Sequence, residues 1–128
     1  MSKLARTAHL LSLVAMSACV ATTQMTAVPV ASTPSLERKA RTVATYNLVD
    51  PASAAFRSTR IYRLESGDIA FCGERNARNR IGGFVGFKPF YVRFDPRSPS
   101  NAPLNEQTEF LAEAVCGALA RGQSIPVR

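Results

Sequence analysis

The side chains that most often do chemistry in proteins are scarce in this sequence. Its single histidine is His9, so the rest of the chain offers no Ser–His or Cys–His nucleophile and no histidine ligand for a metal. Its three cysteines, Cys19, Cys72 and Cys116, form no Cys-x-x-Cys pair, which argues against thioredoxin-like redox chemistry. We therefore expect no catalytic histidine or cysteine, no metal site and no cofactor.

Carboxylates are the remaining candidates for acid–base catalysis. The candidates of this kind are Glu65, Asp68, Glu74 and Asp95. Nothing in their spacing singles out two that would face each other. We interpret them as surface and turn charges and expect that the protein is not an enzyme. A histidine-free hydrolase that uses carboxylates is the alternative.

The most distinctive polar segment is a basic loop, rich in Asn and Gly, predicted over residues 73–83. Its candidate binding residues are Arg75, Asn76, Arg78, Asn79, Arg80, Gly82 and Gly83. In a functional interpretation, the arginines and the free backbone N–H groups of the loop bind an anion such as a phosphate or a carboxylate. In a structural interpretation, the asparagine side chains bond to their own backbone and the glycines allow a tight turn. The residue types favour the structural interpretation and leave the functional one open.

The first residues of the chain have the three parts of a secretory signal. Lys3 and Arg6 give a positive start, a mostly apolar run follows over residues 8–16, and small residues come next. The apolar run is much shorter than the roughly 20 residues that cross a bilayer as a helix. We predict that residues 1–18 are a cleavable signal peptide. A buried amphipathic helix of a cytosolic domain is the alternative.

A cleavage motif stands at the end of this segment. Met16-Ser17-Ala18-Cys19 resembles the bacterial lipobox, with Met in the first position where Leu is usual. The resemblance implies a lipoprotein precursor, in which Cys19 becomes the new N-terminus and carries a diacylglycerol anchor. Because Val20 is not Asp, the resemblance to sorted lipoproteins implies the outer membrane, with the domain facing the periplasm. Cleavage after Ala21 is the alternative, and it would give a soluble periplasmic or secreted protein.

The odd number of cysteines leaves one thiol to account for. If Cys19 carries lipid, Cys72 and Cys116 remain to pair in an oxidising periplasm. Closing a loop of about 45 residues would stabilise the fold by roughly 4 kcal/mol on the chain-entropy account. We predict a Cys72–Cys116 disulfide, with two unpaired buried thiols as the alternative.

The charge of the chain bears on its partners. The formal net charge is +7, and loss of residues 1–18 removes Lys3 and Arg6 and leaves +5. A moderate positive charge favours anionic surfaces. Besides the membrane that holds the lipid anchor, we expect an envelope protein or an anionic glycan or lipid as partner, and no nucleic acid.

Composition divides the chain after the signal into a tether and one small domain. Residues 19–34 carry no charge and include Pro29 and Pro34, which predicts a disordered, lipid-anchored spacer. Residues 35–128 would then fold as a single small domain. Within that domain, residues 35–49 are predicted to form a helix capped by Ser35.

A second helix start and several strands follow. Asp50-Pro51 is typical of a helix N-terminus, which predicts a short helix over residues 52–57. Alternating apolar residues predict a hairpin of two strands, 60–64 and 69–72. Residues 84–87 and 90–94 are also typical of strands, the latter with three Phe or Val side chains on one face.

The clearest helical pattern is the last one. A helix is predicted after Asn105, and Gly122 is expected to end it. One apolar stripe along it is predicted to consist of Phe110, Leu111, Ala114, Val115, Ala118 and Leu119. We predict an α+β fold, in which a small antiparallel sheet, made of the hairpin and a Phe-rich strand, is packed by this C-terminal helix.

Two separated motifs carry a further resemblance. The first runs from Asp50 to Phe56 and reads Asp-Pro-x-Ser-Ala-x-Phe. The second runs from Cys72 to Phe87 and reads Cys-Gly-x-x-Asn-x-x-Asn-x-x-Gly-Gly-aromatic-x-Gly-aromatic. Together they resemble an uncharacterised group of small exported proteobacterial proteins. The resemblance implies an exported domain and supplies no mechanism.

These features lead to one expected function and one alternative. We expect a non-enzymatic lipoprotein of the cell envelope that binds or scaffolds an envelope component. The alternative is an inhibitor or immunity-type module that blocks a partner enzyme through the loop at residues 73–83.

Overall fold

The computed structural model describes residues 23–126. The predicted signal peptide, residues 1–18, and the predicted lipidation site, Cys19, lie outside the described residues. The elements, in chain order, are β1 (Gln24–Met25), β2 (Ala27–Pro29), α1 (Pro34–Ala44), β3 (Ala55–Leu64), β4 (Ile69–Asn76), β5 (Lys88–Phe94), β6 (Asn105–Thr108), α2 (Glu109–Ala120) and β7 (Ile125–Pro126).

Strands β2 to β6 form one antiparallel sheet in which their order in space is their order along the chain. The hairpin of β3 and β4 is confirmed, with Ile61 opposite Phe71 and Arg63 opposite Ile69. Strand β5 continues on the other side of β4, and β6 forms the far edge. The predicted α+β fold with an antiparallel sheet and a packed C-terminal helix is confirmed.

A helix covers each face of this sheet, which explains why β4 and β5 are buried throughout their apolar stretches. Side chains alternate between the faces of a strand. On the first face, α1 packs through Ala40, Val43 and Ala44 against the aromatic side chains Phe71 and Phe90. The prediction that the apolar side chains of residues 90, 92 and 94 share one face is confirmed, because all three lie in this cluster.

Helix α2 covers the second face of the sheet, and a disulfide joins the two. The predicted disulfide is confirmed: Cys72 of β4 and Cys116 of α2 are joined, with their Cα atoms 5.8 Å apart. Tyr91 and Leu119 pack in the same cluster. The covalent bond therefore fixes which side of α2 faces the sheet.

The predicted disordered tether is wrong for its second half. Residues 27–29 form the edge strand β2 beside β3, and residues 24–25 pair with β7. The proline at position 29 is tolerated because an edge strand has one side that needs no partner. An uncharged, Thr- and Val-rich segment is as compatible with a strand as with a spacer, and β3 and β7 supply its pairing.

The first helix is confirmed, but it is shorter than predicted and its cap is a different residue. It ends at Ala44, and Thr33, not Ser35, is the N-cap, with its side chain accepting from the Leu36 N–H at 3.3 Å. Pro34 occupies the first turn, where a missing N–H has no cost. The prediction that Pro34 belongs to a disordered spacer is therefore also wrong.

Three other predictions about local structure are wrong. Pro51 starts only a three-residue 3₁₀ turn, and residues 55–57 lie in β3 and not in a helix. Residues 73–76 extend β4, so the loop before β5 comprises residues 77–87. Residues 84–87 form no strand, and the only bridge in that loop among the described residues joins Arg78 and Phe84.

The start of the last helix also differs from the prediction. Asn105 does not cap it, because residues 105–108 form the edge strand β6 and Thr108 is the N-cap. Gly122 follows the helix end with φ of +68°, as expected for a helix stop. Neither helix within residues 23–126 is long and apolar enough to cross a membrane.

The apolar face of α2 is rotated from the predicted stripe. Ala112 and Leu119 are buried, and Val115, Cys116 and Ala118 pack against them. Phe110 and Leu111 are exposed, with Phe110 78% accessible. The helix is apolar on most sides, so its pattern alone does not define which side is buried.

Candidate functional site

The loop at residues 77–87, which we call the apical loop, lies at one end of the sheet between β4 and β5. The segment before β3 packs against it. The Arg78 N–H donates to Ser53 Oγ at 2.9 Å, and Ser53 Oγ donates to the Asp50 carbonyl at 2.7 Å. The Arg78 guanidinium lies 4.0 Å from the Asp50 carboxylate. The two sequence motifs therefore meet in space at this end of the molecule.

Asn79 organises the tip of the apical loop. Its side-chain oxygen accepts from the N–H groups of Ile81 and Gly83, both at 3.1 Å. Its backbone closes a turn, with the Gly82 N–H donating to the Asn79 carbonyl at 3.0 Å. Gly82 has φ of +82°, a conformation that a side chain would strain. The structural interpretation of Asn79 agrees with these contacts.

Asn76 has a similar role at the base of the loop. Its side-chain oxygen accepts from the Gly86 N–H at 2.9 Å, and the Val85 N–H donates to the Ala77 carbonyl at 3.3 Å. The loop is thus held by its own polar groups, which makes it rigid without burying it.

These bonds leave no cradle for an anion at the turn. The N–H groups of Ile81, Gly82 and Gly83 each donate to an Asn79 oxygen. A backbone anion site needs such groups to point, unpaired, at the ligand. These contacts therefore favour the structural interpretation of the glycine-rich turn.

Arg75 does not belong to the loop. It lies in β4, and its side chain is only 11% exposed. The guanidinium donates to the Ala44 carbonyl at the end of α1 and to Glu106 Oε1 of β6, the latter at 2.6 Å, and it lies over the Phe90 ring. These contacts tie the helix to the sheet, and they occupy the guanidinium that the sequence offered as a ligand-binding group.

The outer surface of the apical loop is apolar and basic. Ile81 is 93% exposed, and Phe84 and Val85 are about half exposed. The Arg78 guanidinium lies 5.2 Å from the centre of the Phe84 ring. Among residues 23–126, Arg80 is exposed and has no hydrogen bond or ion pair. The predicted residues Arg78 and Arg80 are therefore accessible on the same loop as three exposed apolar side chains.

The sequence did not single out two further residues of this surface. Arg57 of β3 stacks on the Phe87 ring, with its guanidinium carbon 4.2 Å from the ring centre, and it pairs with Glu74. Ile81 stands at the tip. The only sequence signal for Ile81 is an isolated large apolar residue inside a polar, Asn- and Gly-rich stretch.

Each of the four candidate carboxylates has a partner of its own. Glu65 bonds to Thr26, Asp68 lies near Arg93, Glu74 pairs with Arg57, and Asp95 pairs with Arg97. Hydrogen bonds from Arg57 and from Arg97 lower the pKa of Glu74 and of Asp95, respectively. A lowered pKa keeps a carboxylate ionised, which does not suit a general acid at neutral pH.

Within residues 23–126, no three His, Cys, Asp or Glu side chains converge to hold a metal ion. Comparison with known proteins found no matching family, curated protein or solved structure.

Proposed function

We propose that this protein is a non-enzymatic lipoprotein of the cell envelope, anchored at Cys19, that binds a periplasmic protein through its apical loop. The single observation that carries the proposal is the position of that loop relative to the N-terminal strand.

The N-terminal strands lie at the opposite end of the sheet. Ala27 pairs with Leu64, and the Glu65 N–H at the β3–β4 turn donates to the Thr26 carbonyl at 3.2 Å. The apical loop follows Asn76, at the other end of the eight-residue strand β4. Eight residues of strand span about 26 Å.

A lipid on Cys19 would hold the β3–β4 turn close to the bilayer. Gln24 is five positions after Cys19, and an extended chain of that length spans at most about 18 Å. The apical loop would then point away from the membrane, where lipid headgroups are out of its reach and periplasmic proteins are not.

The chemistry of the loop favours a protein partner. A rigid loop loses little conformational freedom on binding, because its own hydrogen bonds already fix it. Exposed aromatic, aliphatic and arginine side chains are the types that contribute most at protein interfaces. The loop combines Ile81, Phe84 and Arg80 in this way.

Site-specific crosslinking in a Gram-negative host tests the proposal. The full chain carries a photoreactive residue in place of Ile81, with a matched variant at the exposed Arg97 beyond β5 at the other end of the sheet. We expect one protein adduct from position 81 and none from position 97. A further Arg80→Glu substitution should weaken the adduct without changing the melting temperature.

The anchor is tested separately by intact mass of the same membrane-purified protein. We expect residues 19–128 plus an acylated glyceryl group, and a Cys19→Ala variant should leave the membrane fraction. A lipid-free species that begins at Thr22 contradicts the anchor, and equal adducts from positions 81 and 97 contradict the binding role of the loop.

The same loop also suits the alternative of an inhibitor. An almost fully exposed Ile81 on a loop braced by Asn79 is a shape that can fill the active site of an enzyme. In that case the adduct is an enzyme, and the purified protein should reduce its activity in proportion to binding. A scaffold would leave the activity of its partner unchanged.

A further inference from the structure

The outer edge of β3 is open over more than half of its length. Strand β3 has ten residues, but β2 pairs only with residues 62–64, and the Val30 N–H adds one bond to the Ile61 carbonyl. After Val30 the chain turns away towards α1. In the described part of the chain, no strand and no backbone hydrogen bond lies against the outer edge of residues 55–60.

Cavities lie on both sides of this open edge. One, of about 420 Å³, is lined by Val30, Ser32, Thr59 and Ile61, and it continues where β2 stops. Another, of about 290 Å³, lies between α1 and the start of β3 and is bordered by Arg38 and Phe56. The space in which a further strand would lie is therefore free.

The walls of this space are basic. Three arginines border it: Arg38 and Arg41 on α1, and Arg60 on β3. Arg41 pairs with Glu37. Within residues 23–126, Arg38 and Arg60 are exposed and have no acidic partner. After this ion pair is counted, the net charge contributed by the arginines around the open edge is positive.

We propose that the edge of β3 at residues 55–60 accepts an extended acidic segment of a partner protein, which adds to the sheet as a strand beside β3. Unpaired backbone N–H and C=O groups at a sheet edge bind an extended peptide through main-chain hydrogen bonds. Carboxylates on that peptide pair with Arg38 and Arg60.

The positive charge of the β3 edge also opposes its pairing with the same edge of a second copy of this chain. Two β3 edges brought together would place Arg57 and Arg60 of one copy near the same arginines of the other, and like charges oppose pairing. This site is distinct from the apical loop and does not depend on the proposed function.

The test uses a blocked eight-residue peptide in which pairs of Glu alternate with pairs of Val, so that Glu side chains point to both faces of the added strand. Its six central residues cover the about 20 Å of open edge. Its matched control has Lys in place of Glu. A third peptide carries N-methyl groups on every residue of the acidic sequence, so that it cannot donate main-chain hydrogen bonds from either edge. Binding to the folded protein is measured by fluorescence anisotropy, and its position by amide hydrogen exchange.

We expect binding of the acidic peptide alone, with slower exchange of the amides at residues 55–60. Arg60→Glu and Arg38→Glu should each weaken it by about fivefold, because each reversal replaces an attraction by a repulsion of similar size. Arg80→Glu on the apical loop is the control and should leave the affinity unchanged.

Four outcomes overturn the proposal. They are no binding of the acidic peptide, equal binding of the Lys or the N-methyl peptide, loss of binding with Arg80→Glu, and exchange protection at the apical loop in place of β3. Concentration-dependent dimerisation in sedimentation that Arg60→Glu changes would assign the edge to a second copy instead.

Discussion

At the scale of single residues, the predictions succeeded where a side chain has few alternatives. The odd number of cysteines and the assignment of Cys19 to lipid led to Cys72–Cys116, which is confirmed. The position of Arg75 in β4 was not predicted, because a basic residue next to a loop has the same sequence signal as one that bridges a helix and a strand. The Ala44 carbonyl and Glu106, each 31 residues away, distinguish the two.

Asn79→Ala should release the tip of the apical loop. The substitution removes the acceptor of the Ile81 and Gly83 N–H groups, which we expect to cost about 1–2 kcal/mol. Denaturant unfolding measures the loss, and hydrogen exchange should show faster exchange at residues 79–83. Arg80→Ala, which removes no contact within residues 23–126, should change stability by less than about 0.5 kcal/mol.

Arg75→Ala should destabilise the fold far more than Arg57→Ala. Arg75 is 11% exposed and its loss leaves Glu106 and the Ala44 carbonyl without their partner, a cost of about 3 kcal/mol. The Arg57 side chain is 55% exposed in its pair with Glu74, so its loss should cost less than about 1 kcal/mol. Equal losses in chemical unfolding would contradict the assignment of Arg75 as a structural tie.

At the scale of elements, alternation of apolar residues identified the β3–β4 hairpin and β5, since those strands are buried and their pattern is strong. Strand β6 was missed because all four of its residues, Asn105–Thr108, are polar. A strand at a sheet edge with no alternating apolar residues gives no sequence signal. The side of α2 that faces the sheet was also missed. Most of that helix is apolar, and the disulfide at Cys116 selects the buried side.

Gly73→Ala should disturb the pairing of β3 and β4. A Cβ at Gly73 would lie 3.0 Å from Thr59 Cγ2 and 3.1 Å from the Arg57 carbonyl oxygen, at the bulge between Arg57 and Arg60. We expect a loss of about 1–3 kcal/mol, because backbone atoms must move to make room. Gly83→Ala is the matched control: its new Cβ meets nothing closer than 3.8 Å, and a thermal melt should show little change.

At the scale of the whole molecule, the disulfide is a covalent link between the sheet and α2 in addition to the main chain. Replacing Cys72 and Cys116 by Ser should lower the stability by roughly 4 kcal/mol on the chain-entropy account for a closed loop of this length, 44 residues. Unfolding with and without reductant measures it. The reductant should shift the midpoint of the native protein and leave that of the double Ser variant unchanged.

The pH dependence of stability should be flat near neutrality and fall in acid. The single histidine, His9, lies before the domain, so no side chain of ordinary pKa titrates within it between about pH 6 and 8. Hydrogen bonds lower the pKa of Glu74 from 4.5 and that of Asp95 from 3.8. Such groups stabilise the fold above the unfolded value and lose that contribution as pH falls through the folded one.

Melting temperatures from pH 8 down to 3 measure this profile. We expect a plateau and then a small decline that begins near pH 4.5, small because both carboxylates are at the surface. A change in melting temperature between pH 6 and 7 would contradict this prediction, because residues 19–128 contain no histidine.

The pairing of β1 with β7 has a consequence for how the molecule folds. Strands β2 to β6 each pair with a strand that is next to them along the chain. Gln24 and Met25 instead pair with Pro126 and Ile125, about 100 residues further on. Closing so long a loop costs more entropy than closing the shorter connections within the sheet, so we expect the β1–β7 pair to form after the sheet. A protease added during refolding should therefore cut the N-terminal end of the domain before it cuts the sheet.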